Sequence, residues 1–394
     1  MTKRVKATVK GDLLVWARTS AAFTVQSAAE KLGIDEDALS AWENETDHPS
    51  IPQLRKLADL YKRPLAVLYL PERPSTFQPM HDFRRLPDGG PRAFSPELAY
   101  EIRTAHQRRQ LALELAQESD DKFPKFDLQA TLDTPAETVG QTIRDALGVT
   151  FDIQSKWRDT RAGFVAWRSR IEELGVLVFQ ASRVESSEAS GFAYWADELP
   201  FVVVNRKDAP GRRLFSLLHE LAHLMLHQSG VSDLDPEGRR PVSDERVEVF
   251  CNKVAASALM PRLQFLSQPE IGRAPEGRRD WSDEDIQALA KTFSVSREAV
   301  VRRLLTLERT TEAFYRLKRA QYLREYASTR TRERELRGGE GIPRNMPQET
   351  ISNVGKPLVR MLMSQYHSQR LSLSELSGFL GVKVRHVPGI ERLS

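Results

Sequence analysis

The sequence predicts a multidomain, mainly α-helical protein with one small α+β domain near its middle, an N-terminal helix-turn-helix bundle and a C-terminal helical region. Three observations lead there. Apolar residues recur at helical spacing over most of the 394 residues. Three short runs rich in β-branched and aromatic residues, at 176–179, 191–195 and 201–204, break that period. Proline-rich stretches at 71–79 and 87–91 separate the first helices from the rest. The boundaries expected are 1–71 for the bundle, 72–155 for a linker and helical connector, 156–270 for the α+β domain and 271–394 for the C-terminal helices.

From about 12 to 70 the periodic pattern is interrupted at Phe23-Thr24, at Gly33 and at His48-Pro49-Ser50, which predicts four or five short helices. A charged helix is expected over about 96–118, a loop over 120–133, and helices again near 137–147 and 163–174. The three strand-like runs follow. Residues 212–227 then return to helical period, as do 245–260, where Pro261 stops the helix. Helices continue to the end, with a Gly-Gly-Glu-Gly break at 338–341.

Basic side chains (58) and acidic ones (54) nearly cancel, so the net charge of +4 does not by itself call for a polyanionic partner. The single cysteine, Cys251, excludes an intramolecular disulfide and a thiolate metal cluster, which fits a cytoplasmic setting. No run of eighteen apolar residues occurs, so no membrane partner is expected.

The chemistry concentrates in His219-Glu220-Leu221-Ala222-His223. Helical positions four apart differ by about 40° in rotation and about 6 Å in rise, so both imidazoles leave one face and aim at one ion. Glu220, one step round, suits a general base acting on water beside the metal. The apolar flanks Leu214, Leu217, Leu218, Leu221 and Leu224 fit a buried helix. A third ligand leaves one open position on tetrahedral zinc, and the sequence offers His227, Asp244, Glu245 and Glu248. His227 lies one turn too far along the axis, and Ser229 stands where a long histidine motif would put its third histidine. Glu248 is preferred, since Asn252 one turn later can orient the carboxylate or an imidazole, with Glu245 as rival. Tyr194, His227 and Arg213 are the residues proposed to stabilise an oxyanion. The Asp-rich clusters of two-metal nucleases are not evident.

The helix Phe215-Ser-Leu-Leu-His-Glu-Leu-Ala-His-Leu-Met-Leu-His227 resembles the active helix of the ImmA/IrrE family of metallopeptidases. The segment from Glu248 through Asn252 to Met260-Pro261 resembles that family's second signature, and the resemblance maps the third ligand onto Glu248. Gly191-Phe192-Ala193 and the run from Pro200 to Asn205 are similar to the family's sheet and asparagine turn. The likeness covers roughly 160–265 and implies a zincin-like peptidase domain holding one zinc ion per chain. It also implies a protein substrate such as a transcriptional repressor, cut in stress or mobile-element regulation.

A second resemblance covers about 10–70. Helix, Gly33 turn and second helix, with Trp42-Glu43-Asn44, are similar to Cro/CI-type repressor domains. Double-stranded DNA would then be met by Gln26, Ser27, Ser40 and Asn44, with the basic arm Lys3, Arg4, Lys6 and Lys10. The second helix, however, begins with Asp35, Glu36 and Asp37, which phosphate repels, so a protein partner is an equal expectation. Domains of this type often pair, so a homodimer is also expected. A further helix-turn-helix-like pair at 286–304, more basic in its latter helix, is expected to pack on the peptidase core. The arginine-rich run at 316–337 is read as a solvated helix face. The alternative to a peptidase is a regulator or antitoxin in which the peptidase fold serves as a sensor.

Overall fold

The computed structural model describes residues 5–74, 81–82, 94–119, 123–232, 242–274, 279–336 and 345–393. Lys3 and Arg4, the segment at 87–91 and the break at 338–341 lie outside them. The chain divides into two compact units, Met1–Pro79 with Gly90–Gln107, and Met80–Gly89 with Arg108–Ser394.

The first unit holds α1 (Gly11–Ser20), α2 (Val25–Leu32), α3 (Glu36–Glu43), α4 (Ile51–Tyr61), a 3-10 turn (Leu65–Tyr69) and the first half of α5 (Pro96–Ser119). Local chemistry sets the breaks. Thr24 and Ser27 cap α2 reciprocally, each side chain accepting from the other's backbone N–H at 3.0 Å. Gly33, at φ 66°, takes the left-handed conformation that ends α2 and turns the chain into α3. Ser50 N–H donates to Gln53 Oε1 (2.8 Å) at the start of α4. The core is Leu13, Leu14, Leu39, Leu54, Leu57 and Tyr61, all fully buried. Arg103, on α5, donates to the carbonyl oxygens of Ser20 (2.5 Å) and Tyr61 (3.3 Å) and so ties that helix to the bundle.

The second unit is built on a five-stranded sheet of order β1-β5-β3-β4-β2, from β1 (His81–Asp82), β2 (Leu177–Ala181), β3 (Gly191–Tyr194), β4 (Phe201–Asn205) and β5 (Gly230–Ser232). β2 pairs parallel with β4, β4 antiparallel with β3, β3 antiparallel with β5, and β5 parallel with β1. Strands β2 to β4 are those expected; β1 and β5 are too short to show alternation in the sequence. Connectors α6 (Ala136–Ala146), α7 (Phe151–Gln154) and α8 (Thr160–Glu173) lead to α9 (Pro210–Met225) and α10 (Val242–Leu259). Val178, Ala193, Val202 and Val204 of the sheet share one core with α9, α10, α6 and α8. Both faces of the central strands are covered, which is why they read as continuous apolar runs.

After α10 come α11 (Arg262–Leu266), α12 (Pro269–Gly272), α13 (Asp283–Thr292) and α14 (Arg297–Thr306). The expected packing of this pair is observed: Ile286, Leu289, Phe293, Val300 and Leu304 join the core formed by the sheet, α9 and α10. Arg303, fully buried, donates to Met260 O (2.9 Å) and in a fork to Glu137 Oε1 and Oε2 (2.7 and 2.9 Å). The arginine-rich run lies, as far as Leu336, on α15 (Glu312–Leu336), and the start of that helix is not solvated all round. Phe314, Tyr315 and Tyr322 enter the same core, while Lys318 and Glu325 pair with Asp283 (3.0 Å) and Arg297 (2.6 Å). Last are α16 (Met346–Val354), α17 (Lys356–His367), α18 (Leu373–Leu380) and α19 (Val387–Glu391). Buried Arg168 anchors α16 by donating to Ser352 O (2.7 Å). Among the described residues no helix is long and apolar enough to cross a membrane.

Candidate metal centre

Helix α9 starts at Pro210, whose ring suits a first helical turn, and is buried on nearly every side because it lies between the sheet and α10. Its interior therefore has no water to offer a polar group. His219, Glu220 and His223 are nonetheless at most 1% exposed, and Glu248 of α10 is fully buried. Such a concentration of polar groups is costly unless they satisfy one another or a cation.

They converge. His219 Nε2 lies 3.2 Å from His223 Nε2, His223 Nε2 lies 3.1 Å from Glu248 Oε1, and His219 Nε2 lies 3.5 Å from Glu248 Oε2. A tetrahedral zinc with bonds of about 2.0–2.1 Å sets its ligand atoms ~3.3 Å apart, so this donor set fits the ion in both type and spacing. Burial works to raise the Glu248 carboxyl, but the imidazoles of His219 and His223 outweigh it and hold the group well below the usual carboxylate range. It is thus a carboxylate ready to ligate. Burial, helped by the charge of Glu248, pushes Glu220 well above the usual range, against a smaller lowering by Ser232. Burial also pushes up the Cys251 thiol, which stays a neutral packing group.

The helix carrying Glu248 is held by a close approach to α6. A Cβ on Gly140 would stand 2.2 Å from Ser257 Oγ and 2.8 Å from Ala258 N. Ser257 Oγ in turn donates to Ala136 O (2.7 Å). On the sheet side, Gly191 makes room for Glu220, and Ser232 Oγ comes within 3.4 Å of His223 Nε2. Neither Gly191 nor Ser232 was expected at the site. Small residues at Gly191 and Ala193, alternating with Phe192 and Tyr194, are the signal for a helix pressed against one face of the strand.

Other expected residues lie elsewhere. Tyr194 is on the opposite side of β3 from Ala193; it stacks on Phe201 (centroids 5.2 Å) under the Arg109 guanidinium (5.4 Å), so strand alternation removes it from the metal face. His227 sits past the end of α9 at φ 55°, exposed and stacked on Trp195 (4.5 Å), because the helix ends before completing that turn. Arg213 donates to Gln180 Oε1 (3.0 Å) instead. Asp244 and Glu245 lie in the first turn of α10, outside the converging group. Asn252 Oδ1 is buried with no hydrogen-bond partner among the described residues, so the orienting bond expected of it is not formed. Ser229 Oγ accepts from Trp195 N–H (2.8 Å).

In the first unit, Lys6 is ion-paired with Asp47, and Lys10 Nζ donates to Pro71 O (2.6 Å). Gln26 and Asn44 are exposed, Ser40 is half-buried, and Ser27 is occupied in the α2 cap. Asp35, Glu36 and Asp37 are exposed at the head of α3.

Compared with known families, residues 171–305 match the peptidase family described as the IrrE N-terminal-like domain, and residues 14–68 match the family described as Helix-turn-helix. No curated protein matches the chain. An N-terminal helix-turn-helix domain of the Cro/CI type is therefore followed by an IrrE/ImmA-like peptidase domain. The peptidase match includes His219, Glu220, His223 and Glu248, and extends through α13 and most of α14.

Proposed function

We propose that this chain is a zinc-dependent endopeptidase that binds one zinc through His219, His223 and Glu248 and cleaves a protein substrate, such as a transcriptional repressor, in stress or mobile-element regulation. The observation that carries the reading is the convergence of two imidazoles and one carboxylate at 3.1–3.5 Å in a buried site beside Glu220. A zinc ion bound there supplies Lewis acidity to the scissile carbonyl and to water. Glu220 is the proton carrier: its carboxyl takes the proton from the attacking water and returns it to the leaving amine. The surrounding leucines exclude bulk solvent, which strengthens each of these interactions.

The helix-turn-helix domain is the recruiting module. Its acidic α3 head, with Lys6 and Lys10 already engaged, supports a protein partner at least as well as DNA. DNA binding by this domain would show as affinity falling steeply with salt, and Lys10→Glu would make that slope shallower by about one.

The decisive experiment pairs two variants of the full chain. Glu220→Gln is expected to keep about one zinc and to lose roughly 10²–10⁴-fold in peptide-bond hydrolysis, while His223→Ala loses the zinc as well. Full hydrolytic activity in Glu220→Gln would sink the reading. Complete burial of the site supports a second reading, a regulator or antitoxin whose peptidase fold is a sensor. Under it, Glu220→Gln keeps operator repression and no proteolysis is found in either form.

A further inference from the structure

The first turn of α9 rests on the cap of α14: a Cβ on Gly211 would stand 2.9 Å from both the N and the Cβ of Ser296. Beside that contact is a cavity of about 40 Å³, walled by α9, α14 and α15. It lies apart from the metal centre, since neither histidine nor Glu248 lines it. A volume of that size holds on the order of three waters, or one small ion in their place. Its charged wall is Arg212 of α9, Glu298 and Arg302 of α14 and Arg319 of α15, while Phe215 and Leu323 supply apolar surface.

Three guanidinium groups from three helices thus meet at one cavity, against one lining carboxylate. Like charges repel, so such an arrangement is costly unless an anion offsets it. The acids at hand do so only in part. Glu298 is 3.5 Å from Arg319, and Asp208 is 3.6 Å from Arg212 Nε, too far for a hydrogen bond. That Nε is buried and has no hydrogen-bond partner among the described residues. Arg302 forms no ion pair among the described residues; its guanidinium lies over the ring of buried Tyr315 (5.7 Å), a contact that occupies the flat face of the group and leaves the N–H edge for a ligand. The N-terminus of α14 adds to the positive wall. Ser296 Oγ accepts from Ala299 N–H (3.1 Å), and both residues line the cavity at the end of the helix where the dipole favours an anion.

We propose that this cavity binds a phosphate-type oxyanion, free or as the phosphate group of a small organic ester, through Arg212, Arg302, Arg319 and the start of α14. Planar guanidinium forks match the oxygens of phosphate, and several of them can hold one group at once. Arg212 stands on the helix that carries His219, Glu220 and His223, so the bound anion fastens the head of that helix to α14 and α15. The site is a small-molecule site on the scaffold of the metal centre and separate from it.

The test is calorimetric titration of the full-length chain with inorganic phosphate, and separately with adenosine monophosphate, in chloride buffer of matched ionic strength. Saturable one-to-one binding is expected, weakened at least about tenfold in Arg302→Gln, the size of one lost charge-assisted contact. Glu298→Gln removes the carboxylate that competes with the ligand and should tighten the same binding by about threefold or more, a gain that poor folding does not imitate. Arg316→Gln, on the exposed side of α15, should leave it unchanged, and a loss there equal to that in Arg302→Gln overturns the proposal by marking the effect as general charge. Absence of saturable binding to the wild type overturns it whatever the variants do. So does an affinity that either Arg302→Gln or Glu298→Gln leaves unchanged, which places the phosphate elsewhere, the metal centre included; where Arg302→Gln does not fold, Glu298→Gln decides alone. Tighter binding of the nucleotide than of phosphate identifies an organic ester as the ligand, and equal or weaker binding identifies the free ion.

Discussion

Gly191 and Glu220 share one volume: a Cβ on Gly191 would stand 2.9 Å from Glu220 Oε1, 3.1 Å from its Cγ and 2.8 Å from Val203 O. The backbone there is ordinary strand, so glycine serves clearance rather than conformation. Gly191→Ala should force the carboxylate aside. A stability cost of about 1–3 kcal/mol is expected from overpacking. The larger effect should be kinetic, since an error of about 1 Å in a reacting group can cost on the order of 10²-fold in rate. Zinc content should not change. Kinetics and metal analysis on one preparation check this, and an alanine variant with wild-type kcat would show that Glu220 needs no such clearance.

Glu248→Ala should abolish stoichiometric zinc binding, whereas Glu245→Ala should leave it intact. Only Glu248 reaches the imidazoles, at 3.1 and 3.5 Å, and Glu245 lies nearly a turn earlier on α10. Dialysis followed by metal determination separates the two. The assignment fails if Glu245→Ala is the variant that loses zinc.

Gly140→Val tests whether the α6–α10 contact positions the third ligand. The added carbons meet Ser257 Oγ and the Ala258 backbone, which a folded chain avoids only by separating the helices. Destabilisation by about 1–3 kcal/mol or more is expected, with weaker zinc affinity in the folded fraction. Urea titration with and without zinc reports both. An unchanged midpoint would mean that the approach is looser than described.

Asp208, just before α9, contributes a pH dependence of its own. Burial raises its carboxyl above the ordinary value, against opposing contributions from Arg212, Ser186 and Arg213. A raised acid keeps its proton in the folded state after the unfolded chain has lost it. Its stabilising contribution is therefore fully present below the unfolded value, about 3.9, and is lost as pH rises through the folded value. Asp208→Asn cannot ionise and escapes that loss. Its stability relative to wild type should increase between pH 4 and pH 7 in urea unfolding, and a constant or falling difference would contradict the assignment.

The paired histidines and Glu220 are legible in the sequence because helix periodicity is local: positions 219, 220 and 223 fix their own relative geometry. Glu248 needs the additional regularity of the 248–261 segment. Ser232 is not legible, since its role depends on strand register to Gly191, far away in sequence, whereas Gly191 leaves only the faint signal of small residues alternating with large ones along β3. Tyr194 is near the site in sequence, but the two-residue period of β3 sends it to the other face. His227 leaves the helix face because its own left-handed backbone follows the end of α9, a feature that an apolar pattern does not show. Helices α1 to α4 of the N-terminal bundle are legible, their caps at Thr24, Gly33 and Ser50 being written in adjacent residues, whereas the first half of α5, expected in the connector, belongs to the same unit.

The buried fork between Arg303 and Glu137, with its third bond to Met260 O, spans three separate stretches of the chain. A fragment ending near residue 270, where the composition suggests a natural cut, would strip a carbonyl and a carboxylate of their guanidinium and bare the apolar side of α6 and α10. Excision of the IrrE/ImmA-like domain for laboratory work, or its transfer to a new host protein, should therefore carry everything through α14. The pair α13–α14 goes with the IrrE/ImmA-like domain as a single piece.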